Sequence, residues 1–348
     1  MMSLALAMAL LAAPAADPAS SAPTSPAAAS PVPVIFDTDL GNDVDDALAM
    51  GLLHALADRG ECELLAVTTT KAHPLCAPFA DAINTFYGRP DVPVGAVSVD
   101  GVLTGPTTFE GRFLKLANAT NPDGSRRFPH DLSHDPAEVP DAVPVLRRAL
   151  AGAADGSVAV VQVGFSTNLA RLLRSEPDAI SPRSGRELVA AKVKRLVVMA
   201  GDFAGGGPEY NVREDRDAAA ALAENWPTPI VWSGYEIGVA LPYPPESIEQ
   251  DYRYAAAHPL PESYQLYKAT PHARPTWDLA AALYAVRPDR GDFRLSEPGT
   301  VTIAGDGGSA FAPSEDGKHR VMLPPTQAEA ARVVATFAAL CSQPPRGR

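Results

Sequence analysis

A loop that carries five aspartates within ten residues constrains this chain more than any other feature. Residues 37–46 read DTDLGNDVDD, and they follow directly on residues 32–36, which have no polar side chain. Repulsion between neighbouring carboxylates costs on the order of a few kcal/mol unless a proton or a cation intervenes. The loop therefore needs a partner of opposite charge, and an apolar strand before it and an apolar helix after it would hold both of its ends.

The loop predicts a site for a hard divalent cation, because carboxylate and carbonyl oxygens are the ligands of ions such as Ca²⁺. Gly41 permits the tight turn that such a loop needs. Capping of the following helix by Asp45 and Asp46 is one alternative, but it explains only two of the five aspartates. A phosphoryl-transfer site of the haloacid-dehalogenase type is another, but there Gly-Thr normally follows the aspartate pair, whereas Leu40 and Gly41 follow here.

The chain from residue 32 onward predicts one α/β domain with a mostly parallel, doubly wound sheet and helices on both faces. Short apolar runs alternate with segments of helical periodicity. Strands are expected over residues 32–36, 64–69, 92–97, 158–163, 195–199 and 229–233, and helices over 47–57, 79–87, 143–154, 169–175 and 216–225. Ligands of such sheets bind beyond the carboxyl ends of the strands, where the aspartate loop lies.

The last third of the chain looks more helical. Helices are expected over residues 246–257, 261–269, 277–286 and 327–340, with a small strand pair near 301–303 and 319–322. Residues 107–140 are rich in Pro, Asp and Gly and predict a long loop near the active site. We expect one domain over residues 32–342 and a tail over 343–348.

Composition limits the partners of the chain. With 29 Lys and Arg against 41 Asp and Glu, the net charge is −12, which disfavours nucleic acids and anionic membrane surfaces. No segment beyond the N-terminal region approaches the roughly 20 apolar residues of a membrane span, and homo-oligomerisation is left open. The three cysteines form no CxxC pair and are expected to be free and buried, the alternative being a Cys62–Cys76 bridge.

The N-terminal region predicts export. An apolar run over residues 4–13 is followed by Ala13-Pro14-Ala15 and then by an Ala/Pro/Ser-rich tract. We interpret residues 1–15 as a signal peptide and 16–31 as a linker, which places the protein in the periplasm or the medium. No basic residue precedes the apolar run, so a disordered N-terminal extension is the alternative.

The aspartate loop and several later segments together resemble the inosine-uridine preferring nucleoside hydrolase family. The loop is two residues longer than the common Asp-x-Asp-x-Gly-x-Asp-Asp-Ala form. The other matching segments keep the family order and extend over roughly residues 32–340: LAVTT (65–69), GFSTNL (164–169), PEYN (208–211), DAA (217–219) and WDLAAALY (277–284).

The resemblance implies calcium-dependent hydrolysis of the N-glycosidic bond of ribonucleosides or related ribosides through an oxocarbenium-like transition state. Asp39 would bind the calcium and act as general base toward the calcium-bound water. The other calcium ligands would be Asp46, the backbone carbonyl of Val163, and Asp278. Asp45, Glu209 and Asn211 would bind the ribose, and Tyr210 would lie against the sugar unless it is an ordinary core aromatic.

Two departures from the family pattern concern substrate binding. His73 stands where the family has a ribose-binding Asn, and Trp277 stands where many members have a His that protonates the base. An indole N–H donates a hydrogen bond but is not a usable acid. Either His73 or His130 replaces that acid, or sugar activation alone suffices with Trp277 stacked on the base, which we favour. A calcium-containing ribose-binding protein with weak or no hydrolysis is the alternative function.

We predict that the mature chain begins near Ala16, because the small-x-small pattern ends at Ala15. N-terminal sequencing of the protein recovered from periplasm or medium would show this start. An intact Met1 on protein that stays in the cytosol would contradict the prediction.

Overall fold

The computed structural model describes residues 30–105, 111–205 and 207–346. The predicted signal peptide and nearly all of the predicted linker lie outside the described residues. The strands of the described chain are β1 (Val32–Thr38), β2 (Cys62–Thr69), β3 (Val94–Ala96), β4 (Ser98–Val99), β5 (Val102–Leu103), β6 (Val158–Gln162), β7 (Val193–Met199), β8 (Ile230–Ser233), β9 (Pro242–Tyr243), β10 (Arg274–Pro275), β11 (Gly299–Ile303), β12 (Ser309–Pro313) and β13 (His319–Val321).

The helices connect these strands and cover the sheet. In the described chain they are α1 (Asp45–Asp58), α2 (Cys76–Phe86), α3 (Ala142–Gly152), α4 (Thr167–Arg174), α5 (Gly185–Lys192), α6 (Tyr210–Glu214), α7 (Arg216–Asn225), α8 (Tyr235–Val239), α9 (Pro245–Gln250), α10 (Pro259–Tyr267), α11 (Trp277–Val286) and α12 (Gln327–Cys341). Two 3₁₀ helices, Leu114–Asn118 and Pro136–Glu138, lie in the predicted long loop.

A mostly parallel sheet organises the fold, as the sequence predicts. Within the described residues it has nine strands in the order β12-β11-β13-β8-β7-β6-β1-β2-β3. The seven strands from β13 to β3 run parallel, and β11 pairs antiparallel with both β12 and β13. β1 lies between β6 and β2, third from the β3 edge, so the residues that follow it emerge at the carboxyl edge with a parallel neighbour on each side.

Apolar residues pack on both faces of the sheet, which explains the uninterrupted hydrophobic runs of the central strands. In β1, Val34 and Phe36 pack into the cluster on one face and Ile35 into the cluster on the other. Helices α1, α2, α11 and α12 contribute to the first cluster, and α3, α4, α5 and α7 to the second. The domain is therefore a three-layer α/β sandwich.

The C-terminal strands differ from the expected small pair. β13 joins the main sheet beside β8, with His319 opposite Ile230, and only Gly299 of β11 pairs with it. Strand β12 was not predicted, because it is an edge strand of mostly half-buried or exposed residues and is rich in Ala and Pro, which strands disfavour. In the same region, the helix expected over residues 246–257 ends at Gln250.

The three cysteines are buried and free, as expected. In the described part of the chain, no helix combines the length and apolar character that a membrane crossing requires. At the C-terminal end, the first residues of the predicted tail contact α1: Gln343 accepts a hydrogen bond from Arg59, and the backbone N–H of Arg346 donates to Asp58.

Gly164 lies directly beyond β6, where the ends of β1 and β2 come together. A Cβ at this position would lie 2.3 Å from the Thr70 hydroxyl oxygen and 2.5 Å from the backbone nitrogen of Asp39. Backbone atoms cannot give way as a flexible side chain can. Glycine at this position therefore lets the aspartate loop approach the end of β6.

We predict that Gly164→Ala lowers the free energy of unfolding by about 1–3 kcal/mol, the usual effect of forced overpacking. Gly152→Ala is the matched control, because a Cβ there meets nothing within 4 Å at the end of α3, and alanine favours a helix. Denaturant unfolding of both variants is the measurement. Equal stability of the two would contradict the close approach.

Candidate active site

The aspartate loop joins β1 to α1 and is shaped by a tight turn. Gly41 has a φ of 105°, a left-handed conformation that glycine adopts without strain. The backbone N–H of Asn42 donates to the carbonyl of Asp39 over 3.1 Å, which closes the turn. A Cβ on Gly41 would overlap the side chain of Leu114. The long loop that contains Leu114 thus packs against the aspartate loop, which places it near the site as expected.

Asp37, the first of the five aspartates, ties the strands together. It is fully buried, and its Oδ1 accepts hydrogen bonds from Thr68 on β2 and from the Asn168 side chain on α4. Burial raises its pKa to about 7, although these two hydrogen bonds lower it. Its hydrogen bonds thus connect β1 to β2 and to α4, at the end of β1 from which the other aspartates follow.

Three aspartates converge on one point and could hold a metal ion. Asp45, Asp46 and Asp278 each offer a carboxylate oxygen, and these oxygens lie within 4.8 Å of one another. All three side chains are buried. Burial and mutual repulsion raise the pKa of Asp46 and Asp278 well above the usual range. Asp46 and Asp278 belong to the metal set predicted from the sequence, whereas this triad includes Asp45 instead of Asp39.

Asp39 lies beside this triad. Burial raises its pKa to about 7, and the negative charges of Asp45 and Glu209 add to this effect, whereas the ammonium of Lys71 opposes it. Asp39 Oδ2 and Asp46 Oδ2 are buried and have no hydrogen-bond partner among the described residues. A buried carboxylate oxygen without a donor is strongly disfavoured unless a proton or a cation binds it. The two orphaned oxygens therefore fit a metal site.

Asp45 links the aspartate loop to α11. Its Oδ2 accepts hydrogen bonds from the backbone N–H groups of Trp277, over 2.8 Å, and Asp278, over 3.2 Å. A carboxylate at a helix N-terminus satisfies N–H groups that have no partner within the helix. Asp45 is thus the contact that brings Asp278 to Asp46, and its second oxygen is not used by these two bonds.

The ends of β6 and β7 and the start of α6 form the opposite side of the site. The Asn211 side chain donates to the carbonyl oxygen of Val163 over 2.8 Å and to that of Met199 over 3.1 Å. Glu209 caps α6 by accepting from the backbone N–H of Asn211 and Val212. Burial nevertheless raises the pKa of Glu209 to about 7. These contacts fix both polar side chains.

The hydroxyl of Tyr210 donates to Asn42 Oδ1 over 2.9 Å, and the Lys71 ammonium donates to the same oxygen over 3.3 Å. The Tyr210 ring packs against Phe165, with the ring centroids 5.9 Å apart. The side chain of Lys71 is almost fully buried. Asn42 therefore joins the aspartate loop to the end of β2 and to α6.

A third side of the site is an aromatic wall, formed by the rings of Tyr235, Tyr267 and Trp277. The Trp277 ring stacks on Tyr235, with the ring centroids 5.6 Å apart, and its indole N–H donates to the Tyr235 carbonyl over 2.8 Å. The guanidinium carbon of Arg274 lies 4.9 Å from the centre of the Trp277 ring and 5.0 Å from that of Tyr267. Arg274 is in turn held by Asp43 through a bidentate ion pair.

Carboxylates and aromatic wall face a cavity of about 290 Å³, close to the lower end of the range for small-molecule sites, about 300–1,000 Å³. All the predicted site residues except His73 line it. The lining residues are Asp39, Asn42, Asp43, Asp45, Asp46, Val163, Met199, Glu209, Tyr210, Asn211, Tyr235, Tyr267, Arg274, Trp277 and Asp278.

The two histidines considered as leaving-group acids lie elsewhere. His73 Nδ1 accepts from the backbone N–H of Leu75 over 3.1 Å, in the turn before α2. His130 Nε2 lies 2.9 Å from Nε2 of His134. Neither histidine is among the described residues that line the cavity. At the end of β2 it is Lys71, two residues before His73, that reaches the aspartate loop.

Sequence reasoning assigned no role to six side chains of the cavity wall: Asn42, Asp43, Met199, Tyr235, Tyr267 and Arg274. Four of them carried a usable signal. Asn42 and Asp43 lie in the loop that is longer than the family form, Met199 ends a predicted strand, and Tyr235 comes two residues after another, at the carboxyl edge. Tyr267 and Arg274 lie near the ends of short C-terminal elements and carried no such signal.

Comparison with solved structures supports the same fold. A plant nucleoside hydrolase has 22% sequence identity and a TM-score of 0.63, with 90% of this chain and 100% of that chain covered. The nucleoside hydrolase of Bacillus anthracis has 19% identity and a TM-score of 0.64, with 89% and 99% covered. A purine-preferring ribonucleoside hydrolase of Gardnerella vaginalis has 18% identity and a TM-score of 0.63, also with 89% and 99% covered.

No curated protein matches the chain significantly. The family model for inosine-uridine preferring nucleoside hydrolases, however, matches residues 34–336, which is most of the domain and includes every residue described above as lining the cavity. The sequence resemblance is thus confirmed over the whole α/β unit. The chain belongs to the inosine-uridine preferring nucleoside hydrolase family.

Proposed function

We propose that this chain hydrolyses the N-glycosidic bond of ribonucleosides or related ribosides and that it uses Ca²⁺ to do so. The observation that carries the proposal is the group of buried carboxylates, Asp39, Asp45, Asp46 and Asp278, on one side of a small-molecule cavity. Their charge needs a cation, and their arrangement leaves room for a sugar beside it. A family of nucleoside hydrolases supplies the reaction class.

The donor set suits calcium rather than zinc or a soft metal. The candidate ligands are carboxylate oxygens of Asp39, Asp46 and Asp278 together with the carbonyl of Val163, and hard oxygen donors are those that Ca²⁺ prefers. The Val163 carbonyl already accepts one hydrogen bond, from Asn211, and its second lone pair is available to an ion. Bound calcium would lower the pKa of a water that it holds and would orient ribose hydroxyls.

The residues around the cavity then have separate roles in the proposed reaction. Asp39 accepts the proton of the attacking water, a role that a carboxylate close to that water can fill. Glu209 and Asn211, fixed by their backbone hydrogen bonds, bind the ribose together with Asp45. Positive charge develops on the sugar as the bond breaks, and buried carboxylates stabilise it most strongly because water does not screen them.

Leaving-group assistance by a histidine has no support in the described cavity. Trp277 cannot serve as the acid, and its indole N–H is engaged by the Tyr235 carbonyl. We propose that sugar activation dominates and that the base stacks on the Trp277 ring. A calcium-containing riboside-binding protein is the second candidate, favoured by the loss of the histidine, and the assay below separates the two.

We predict one Ca²⁺ per chain, and we expect the metal-free protein to lose stability as the pH rises. Burial raises the pKa of Asp39 and Asp45 from 3.8 to about 7, so the folded protein binds more protons than the unfolded chain between these values. Stability therefore falls as the pH rises through this window. Between pH 5 and pH 8, the Tm of chelator-treated protein should fall by on the order of 5 °C or more.

Excess Ca²⁺ should remove most of this fall, because the ion offsets the carboxylate charges. Elemental analysis of desalted protein gives the stoichiometry. Stoichiometric zinc, or a metal-free protein whose Tm is the same at pH 5 and pH 8, would contradict the calcium site.

We predict that Asp39→Ala abolishes turnover with little loss of fold, since removing a buried, unpartnered carboxylate relieves repulsion. The assay is release of reducing sugar from a panel of nucleosides, with and without chelator. Asp217→Asn is the matched control, because this aspartate is 85% exposed and pairs with Arg216 on the surface. Near-normal turnover by Asp39→Ala would overturn the base assignment. Tight riboside binding by a wild-type protein that releases no ribose would favour the binding protein.

A further inference from the structure

Arg274 is the one cationic side chain among the described residues that line the cavity. The same lining includes six carboxylates: Asp39, Asp43, Asp45, Asp46, Glu209 and Asp278. Five of these lie where the cation and the sugar are proposed to bind, four on the carboxylate side and Glu209 opposite them. The sixth, Asp43, pairs with Arg274. The cavity therefore has one positively charged position, and it is separate from the proposed cation site.

The guanidinium of Arg274 is held in a fixed orientation. Its Nε donates to Asp43 Oδ1 over 2.7 Å, and its Nη2 pairs with the other oxygen of Asp43. Its guanidinium carbon lies about 5 Å from the centres of the Tyr267 and Trp277 rings. Such bidentate, stacked packing orders an arginine far more than a single ion pair does. The side chain nevertheless keeps 22% of its surface exposed, and it is among the residues that line the cavity.

Arg274 lies on the side of the cavity where the leaving group of a bound riboside is expected. If the ribose lies on the carboxylates, the substituent at its C1′ must point away from them, toward Tyr235, Trp277 and Tyr267. These rings offer faces for a flat heterocycle, and stacking on such faces favours many bases alike. Selectivity needs a directional donor or acceptor, and the exposed part of the guanidinium offers N–H donors there.

We propose that Arg274 is a specificity-determining residue that donates a hydrogen bond to an acceptor atom of the leaving heterocycle and so stabilises its departure. This inference rests on the proposed riboside hydrolysis. As the C1′–N bond breaks, its electron pair goes to the heterocycle. The water oxygen forms the new bond to C1′, Asp39 takes the proton of that water, and the heterocycle is protonated from solvent.

Arg274 acts here by charge and hydrogen bonding, not by proton transfer. Burial lowers its pKa to about 10, so the guanidinium stays protonated at neutral pH and is a poor proton donor. Its effect should therefore depend on the leaving group. A heterocyclic anion with oxygen or nitrogen acceptors gains from it, whereas a leaving group that departs readily as an anion gains little.

The test compares Arg274→Gln with the wild-type holoenzyme on inosine, uridine and 4-nitrophenyl riboside. For the nucleosides, kcat/KM should fall on the order of 10- to 100-fold, the usual effect of losing a hydrogen bond from a charged donor. For the nitrophenyl riboside it should fall less than about threefold. Arg216→Gln is the control, because this arginine lies on the surface against Asp217, and it should change neither rate.

Asp43→Asn gives an independent readout, because it loosens Arg274 without removing it. We expect Asp43→Asn to lower the ratio of kcat/KM for the nucleosides to kcat/KM for the nitrophenyl riboside, but by less than Arg274→Gln does. The double variant should be no worse than Arg274→Gln alone, since both changes act through one guanidinium. If Arg274→Gln fails to fold, Arg274→Lys keeps the cation without the planar fork and should still lower that ratio.

The outcomes separate this inference from the function on which it rests. If the wild-type protein releases ribose from none of the three substrates, the proposed function fails. If it cleaves them and each folded Arg274 variant slows all three equally, Arg274 serves the sugar or the fold, and the inference is overturned. If Arg274→Gln does not fold and Arg274→Lys leaves the ratio of nucleoside to nitrophenyl riboside rates unchanged, the inference is overturned as well.

Discussion

The burial of four carboxylates at one point of the carboxyl edge governs the whole structure. Asp39, Asp45, Asp46 and Asp278 are each about 5% exposed or less, and each is held in place by an element that is itself packed in the core. Such a concentration of negative charge is tolerable only where the scaffold is rigid and a cation can enter. The position of β1 between two parallel strands, the glycine beyond β6 and the buried helix α11 all serve this requirement.

The aspartate loop also connects the two halves of the cavity. It carries Asn42 and, in its longer form, Asp43, neither of which belongs to the carboxylate cluster. Asn42 accepts from Tyr210 and Lys71, and Asp43 fixes Arg274. One loop thereby supplies candidate cation ligands, sugar contacts and the support of the aromatic wall.

The sequence predicted the sheet and the carboxylate cluster because both leave local patterns. Uninterrupted apolar strands and the aspartate run are visible in a single segment, and the bounds of α7 and α11 were predicted to the residue. Trp277 of the aromatic wall was predicted, but Tyr267 and Arg274 could not be, because short elements that have no periodicity bring them to the site. His73 shows a further limit: alignment by spacing placed it in the site, but the turn after β2 directs Lys71 there instead.

The hydrogen bonds from Trp277 and Asp278 to Asp45 join residues 232 and 233 positions apart in the chain. During synthesis the aspartate loop leaves the ribosome long before α11 exists, and contacts of such separation form late because closing a long loop is entropically unfavourable. The N-terminal carboxylates therefore stay hydrated until the C-terminal part of the domain docks. A nascent or truncated chain that lacks α11 holds neither all four carboxylates nor a closed cavity, so the proposed cation site is complete only when the domain is complete.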